Sequence, residues 1–192
     1  MSTIYSPPAN IGSGQRTCGE FQDEVASRAE LDARLAKCSH LFTVYREVRG
    51  YYLQPRIDTL EEEKRPRIDY LLVPKPALVE AGWTAGAVGI EAKASGVKLG
   101  PVISQCLNYQ RAQFEIKPSG VLVGVRWVFI WPLQAVYNDI ESVMNQNRIG
   151  SLWGDQWALL RFKVGGTLAI AIDQNGKADA KTLVNGRKAG SR

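Results

Sequence analysis

Between Gly86 and Gly96 the chain carries a strand-like apolar run, Ala87 to Ala94, with a carboxylate and an ammonium two residues apart inside it, at Glu91-Ala92-Lys93. Alternation along a strand puts Val88, Ile90 and Ala92 on one face and Glu91 with Lys93 on the other. Charges on a buried-type strand are costly unless they are paired or bound to a metal. A second run, Arg67 to Val73, reads as a strand stopped by Pro74, and it brings Asp69 within reach of Glu91 if the two strands pair. Two carboxylates and a lysine at a strand end can hold a hard divalent cation, and the lysine can meet the charge or the water of a phosphate reaction. The competing arrangement is a surface ion pair on an edge strand. Val88, Ile90 and the apolar run from Gly120 argue against an edge.

After Lys93 a loop runs from Ala94 to Pro101, and proline suits the first turn of a helix. The pattern predicts a helix to about Ile116, on which Gln105 and Tyr109 are four apart and share a face. A solvated glutamine above a core tyrosine would give the same spacing.

Asp69, Glu91-Ala92-Lys93 and Gln105-x-x-x-Tyr109, in that order, resemble the PD-(D/E)XK nuclease superfamily. The last motif is similar to that of its RecB-like and lambda-exonuclease-like branches. The resemblance implies a restriction-endonuclease-like α/β fold and hydrolysis of DNA leaving a 5′-phosphate and a 3′-hydroxyl. It implies that Asp69, Glu91 and the Ala92 carbonyl hold Mg2+, which Mn2+ can replace, and that Lys93 acts on the attacking water or on transition-state charge. Gln105 would lie near the metal as part of the catalytic set, and Tyr109 near the substrate phosphate.

Members of this superfamily often add an acidic residue from the first helix. Glu24 is the position chosen here, and Glu47 is the other candidate. Against these stand an exposed Glu24 paired with Arg28 at i,i+4, and an exposed Glu47. Lys98 and Arg111, with Lys117, are either contacts to the DNA backbone or ordinary surface. Two departures from the family pattern are the isoleucine at 68, where the motif has proline, and the long gap from Asp69 to Glu91. Pro74, Pro76, Gly82 and Gly86 mark that gap as an inserted loop carrying Trp83. QxxxY leans toward end-processing enzymes, yet no GxxxxGK[ST] segment occurs anywhere in the chain. A standalone endonuclease, encoded by a phage or mobile element and working as a homodimer or with a partner protein, stays open. So does a nucleic-acid-binding or assembly protein that keeps the fold without cleaving.

The flanking pattern predicts a helix over Gly19–Lys37 with Phe21, Val25, Ala29 and Leu35 near one stripe, then a strand over Leu41–Leu53 bent at Gly50. Gly120–Trp131 reads as one long central strand ended by Pro132. Leu133–Gln146 reads as a helix with Val136, Ile140, Val143 and Met144 inward, and Gly150–Trp157 as a loop. A hairpin about Gly165-Gly166 follows. Its neighbouring tryptophans, Trp153 and Trp157, either stack on bases or pack on the core. The predicted order is helix, three strands, helix, strand, helix, hairpin: a mixed sheet flanked by helices.

At 192 residues the length suits one domain, expected over residues 17–173 between a flexible lead-in (1–16) and a basic flexible tail (174–192). The tail holds five Lys or Arg against one Asp, hence +4 of the total +5. It is either a polyanion contact or a solvated tail. The three cysteines, Cys18, Cys38 and Cys106, are widely spaced and suit reduced thiols in a cytoplasmic protein. His40 is the single histidine, which leaves triad and multi-histidine chemistries little to work with. Met1–Gln15 lacks the form of a signal peptide, and Arg126 and Pro132 interrupt the longest apolar run, so no membrane segment is expected.

Overall fold

The computed structural model describes residues 23–52, 65–83, 85–134, 136, 138–164 and 167–179. The lead-in, Phe21, Cys18, the charged connection before Arg65, the Gly165-Gly166 turn and the tail beyond Asp179 lie outside the described residues.

The first helix, α1 (Glu24–Lys37), opens at Asp23, whose carboxylate accepts a hydrogen bond from the Ala26 N–H at 2.7 Å. Its buried residues are Ser27, Leu31 and Leu35, while Val25 is 77% exposed. The expected stripe through Val25 and Ala29 is therefore corrected to the face two residues on. Docking decides this: the Trp131 indole N–H donates to the Ser27 carbonyl at 2.9 Å, which turns that face toward the sheet.

Three strands follow as an antiparallel meander: β1 (Phe42–Tyr52), β2 (Arg67–Pro74) and β3 (Val88–Ala92), in the register Tyr45↔Leu71 and Tyr70↔Ile90. The inserted segment between β2 and β3 contains a short helix, α2 (Pro76–Glu80), and then Trp83. Trp83 is buried, donates to the Gly86 carbonyl at 2.8 Å, and stands edge-on to Phe42 and Phe162 with ring centroids 5.6 Å away in each case. The insertion thus completes the core.

Helix α3 (Leu99–Gln110) stops short of Ile116. Beyond it the burial period changes from helical to two. Ala112 and Phe114 turn inward, and residues Ala112–Ile116 form β4, paired with β5 (Val121–Gly124). The expected single strand over Gly120–Trp131 is therefore two: Val125 and Arg126 break the run, and β6 (Trp127–Trp131) lies elsewhere in the sheet, parallel to β3. A run of apolar residues does not reveal a turn when the turn residues are themselves valine and arginine.

Helix α4 (Asn138–Gln146) begins later than Leu133, because Leu133 is buried and its N–H donates to the Leu152 carbonyl at 2.8 Å. Met144 faces inward as expected, whereas Val143 is 48% exposed. The expected loop at Gly150 is a strand, β7 (Ile149–Trp153), parallel to β6. Trp153 is buried there, and of the two tryptophans only Trp157 is exposed. The hairpin of β8 (Ala158–Val164) and β9 (Thr167–Asp173) forms as the sequence indicates. The expected flexible tail from residue 174 is corrected at its start, because residues 174–179 form a turn and a short strand. Asp173 Oδ1 accepts from the N–H groups of Asn175 and Lys177, both at 2.9 Å, and the turn leads into β10 (Ala178–Asp179) on β9.

All ten strands join one mixed sheet in the order β10-β9-β8-β7-β6-β3-β2-β1-β4-β5. One core, with Leu31, Leu35, Leu78, Ile90, Phe129 and Trp131, lies between the sheet and α1 and α2. A second, with Ile68, Val102, Cys106, Val128, Ile130 and Met144, lies under α3 and α4 on the opposite face. The chain is an α/β protein with helices on both faces of the sheet. No helix among the described residues is long and apolar enough to cross a membrane.

Two glycines separate packing from propensity. A Cβ at Gly150 would meet the Phe129 ring at 2.4 Å and the Lys163 carbonyl at 2.7 Å, whereas one at Gly100, in the first turn of α3, meets nothing beyond its chain neighbours. Gly150→Ala should destabilise by about 1–3 kcal/mol. Gly100→Ala should change stability by less than about 1 kcal/mol, because the entropy gain of losing a glycine is offset by the clash of a Cβ with the ring of the following Pro101. Urea denaturation of both variants checks the contrast, and equal effects would contradict this packing.

Candidate active site

Strand β3 runs into the interior and ends at Ala92, with Glu91 only 1% exposed. What surrounds that end comes from five elements. Ile68 packs over Gly89, where a Cβ would meet Ile68 Cδ1 at 2.1 Å, so a side chain at this point of β3 would displace the end of Ile68. That placement of Ile68 departs from regular alternation. Tyr70 and Leu72 face the α1 side, yet Ile68 lies in the core under α3, together with Val48 across from it. The slip falls at Glu47 and Asp69, which stand between the pairs Arg46↔Tyr70 and Val48↔Ile68. Glu47 has a φ of 51°, left-handed backbone that costs a non-glycine residue roughly 1–2 kcal/mol. Irregular backbone here sets both acidic groups at the mouth of the site.

Asp69 is 5% exposed and held from two sides. Its Oδ2 accepts from the Ala92 N–H at 2.8 Å, and its Oδ1 from Arg28 at 2.5 Å. In extended backbone the N–H and C=O of one residue point to the same edge, so the Ala92 carbonyl faces the Asp69 side as well. Glu91 is fixed by α3: the Tyr109 hydroxyl lies 2.8 Å from Glu91 Oε2 and 2.9 Å from the Arg67 carbonyl. With one proton to give, it favours the ionised acceptor. Gln105 Nε2 donates to the same hydroxyl at 2.6 Å. Glu91 Oε1 has the Lys93 ammonium at 2.5 Å as its partner among the described residues.

Three cations of the chain gather these acids. Arg28 reaches Glu24 at 2.8 Å and pairs with Glu47 in addition to Asp69. Lys93 bridges Glu91 to Glu24, the latter at 3.5 Å, and Arg67 holds Glu47 at 2.9 Å. Four carboxylates thus share three cations. Burial, and then the charge of Glu91, push Asp69 up to about 7 against the opposing pull of Ala92 N–H, Arg28 and Lys93. Burial works against charging Lys93, but Glu91, Glu24 and Asp69 outweigh it and raise its pKa, so it is an ammonium at neutral pH. Burial likewise opposes charge on Arg28 and is outweighed by Glu47, Asp69 and Glu24. Burial, followed by the Glu91 charge, lifts Tyr109 and keeps it a hydroxyl donor. Cys106, close by on α3, is buried, and burial holds its thiol well above the usual range, so it offers no thiolate nucleophile.

Asp69, Glu91, Lys93, Gln105 and Tyr109 are therefore brought together as the spacing indicates. Tyr109 departs from its expected place at a substrate phosphate: it is 2% exposed, and its hydroxyl is engaged with Glu91. Gln105 in turn is engaged with Tyr109. Glu24 and Glu47 both belong to the cluster, as partners of Arg28 rather than members of a bare carboxylate triad. Lys98 and Arg111 are exposed at the two ends of α3. The residue that sequence reasoning missed is Arg28. Its one signal was the i,i+4 spacing from Glu24, which does not show three acids meeting on one guanidinium.

Among the described residues no group of three or more His, Cys, Asp or Glu side chains stands ready to hold a metal. The set nevertheless fits Mg2+. That ion favours oxygen donors, needs only one or two carboxylates and keeps several waters. Glu91 Oε1 is a buried oxygen whose partner among the described residues is the Lys93 ammonium, and burial with the neighbouring Glu91 charge disfavours an ionised Asp69 beside it. Comparison of the chain with protein families, with curated proteins and with solved structures finds no match.

Because the Asp69 pKa is raised on folding from an ordinary value near 3.8 to about 7, its contribution to stability is full below pH about 4 and is lost as pH rises through 7. Thermal denaturation in EDTA across that window should show the loss in the wild type and a flatter profile in Asp69→Asn. Identical profiles would remove Asp69 as the titrating group. Arg28→Gln should lower the stability of the metal-free protein by about 1–3 kcal/mol, and Mg2+ should restore part of it. A full loss that Mg2+ leaves untouched would count against a cation site here.

Proposed function

We propose that the protein is a metal-dependent nuclease of PD-(D/E)XK type that hydrolyses phosphodiester bonds of DNA. The observation that carries this reading is the buried end of β3. There Asp69 and Glu91 stand side by side in the interior, and Lys93 reaches in to pair with the Glu91 oxygen that Tyr109 leaves free. The element order supports it too. A helix, an antiparallel three-strand meander, a crossover helix and a parallel strand are what the restriction-endonuclease-like core comprises, with α2 and the β4–β5 pair as additions.

In this reading Asp69, Glu91 and the Ala92 carbonyl hold Mg2+, with Mn2+ as a substitute. A bound ion of this kind polarises a phosphoryl oxygen and lowers the pKa of an attacking water. Lys93, charged at neutral pH, donates hydrogen bonds to that water or to the phosphate and offsets negative charge as it develops. This favours an electrostatic role for Lys93 over that of a base. Gln105 and Tyr109 keep the Glu91 carboxylate oriented. With a metal held by Asp69, Arg28 would keep Glu24 and Glu47 as partners.

One observation favours a second reading. Arg28 already compensates Asp69, as it would in a protein that keeps the fold to bind nucleic acid or to assemble without cleaving. Linear and circular DNA, single- and double-stranded, incubated with Mg2+ or Mn2+ and with EDTA, separates the two. Metal-dependent cleavage should appear in the wild type and fall about 100-fold or more in Lys93→Ala. Tyr109→Phe should need about 10- to 100-fold more Mg2+ for the same rate. Attack on circles would mark an endonuclease. Undiminished activity in Lys93→Ala would sink the assignment, and retained DNA binding with no cleavage would establish the second reading.

A further inference from the structure

Strand β1 has two edges with different fates. One pairs with β2 along Phe42–Arg49, while on the other β4 pairs only with Gly50, Tyr51 and Tyr52. From Tyr52 toward Phe42 the two strands diverge, so the edge over residues 42–49 has no strand partner among the described residues. The space between them is a cleft of about 430 Å3. Its wall on the β1 side is made of consecutive residues, Val44 through Arg49. Consecutive residues point to both faces of a sheet, so the cleft runs along the strand edge, where backbone N–H and C=O groups are presented.

The chemistry of the cleft is cationic. Arg46, Arg49, Arg65 and Lys117 line it against two carboxylates, Glu47 and Glu115. Both acids are already engaged: Glu47 with Arg28 and Arg67, and Glu115 with the Tyr51 hydroxyl at 3.1 Å. Arg46 shares its charge with Asp32 at 2.8 Å. Among the described lining residues the cations still outnumber the carboxylates, four to two, which favours an anion. Tyr45 and Tyr51 supply half-buried rings, and the Arg65 guanidinium lies over the Tyr51 ring at 4.7 Å, a flat cationic stack. Cations interleaved with aromatic rings, beside a strand edge that has no strand partner among the described residues, match a phosphodiester strand whose bases are unstacked. A duplex hides its base faces and would leave the rings unused.

We propose that this cleft binds single-stranded nucleic acid, phosphates toward Arg65 and Lys117 and bases toward Tyr45 and Tyr51. Glu47 belongs to both places. It lines the cleft, and through Arg28 it reaches Asp69. The bound strand therefore passes one residue from the carboxylate site. This deepens the nuclease reading and rests on it for what becomes of the strand, but not for the binding.

The test is fluorescence anisotropy of a labelled oligothymidylate of about 15 nucleotides, against a duplex of matched length, in EDTA so that nothing is cut. The full chain should bind the single strand more tightly than the duplex. Tyr51→Ala should weaken binding about 5- to 100-fold, the worth of one stacked base. The pair Arg65→Glu and Lys117→Glu should weaken it further and reduce the slope of log affinity against log salt by about 1–2. Lys117→Ala, at an exposed position, gives the same direction with little risk to folding, and circular dichroism melts check each variant. Wild-type affinity in these variants, or tighter binding of duplex, overturns the proposal. If the wild type cleaves DNA with Mg2+ while the cleft variants bind normally, the nuclease reading stands and the cleft falls. If the wild type never cleaves but the cleft variants lose binding, the cleft stands and the nuclease reading falls.

Discussion

Two carboxylates buried against each other at the end of β3 set the terms for everything around them. An ionised pair with Asp69 5% and Glu91 1% exposed is unstable unless each oxygen finds a donor or a cation. Three of the four oxygens are met by Ala92 N–H, Arg28 and Tyr109. The fourth has the ammonium of Lys93. Each of these groups is itself fixed by packing. Ala92 sits in a strand paired on both sides, and Tyr109 lies in the core against Phe114 with ring centroids 6.1 Å apart. Arg28 is carried by a helix whose Ser27 and Arg28 carbonyls accept from Trp131 and Tyr70.

A fold does not keep such a pair for stability. Well-packed apolar residues in place of a buried ion cluster are often as stable or more so, and the two cores here contain enough Leu, Ile, Val and Phe to have continued through this point. The site also holds Glu47 in left-handed backbone and leaves Asp69 protonating near neutrality. Strain and a displaced pKa at one spot, within an otherwise regular sheet, are the usual marks of chemistry or ligand binding. This supports the nuclease reading without naming the substrate.

The sequence made legible what alternation and fixed spacing encode. β2 and β3, the shared face of Glu91 and Lys93, the partnership of Gln105 with Tyr109, and the late hairpin all follow from periods of two and near four. It was least legible where the determinant is a contact between distant segments. Val125-Arg126 separates β5 from β6, yet looks like the middle of one apolar strand. Ala112–Ile116 continues a helix in composition and becomes a strand because Phe114 lies on Gly50. Arg28 is one more basic residue on a charged helix until Glu47 and Asp69 arrive from β1 and β2. The slip of Ile68 to the α3 side is invisible in a pattern that assumes unbroken alternation.

The two departures from a minimal meander and crossover do different things. α2 with Trp83 fills space: the indole closes the core between Phe42 and Phe162 and leaves the site unchanged. The β4–β5 pair makes space. It grips β1 only at Gly50–Tyr52, where the Phe114 ring requires glycine on the opposite strand, and then swings away. Had β4 stayed paired along the whole of β1, the cationic edge from Val44 to Arg49 would be covered and Glu47 would have a strand between it and solvent. Gly50 is thus a pivot. A close contact there holds one end of the wing, and the divergence beyond it leaves an open, positively charged edge that ends within one ion pair of Asp69.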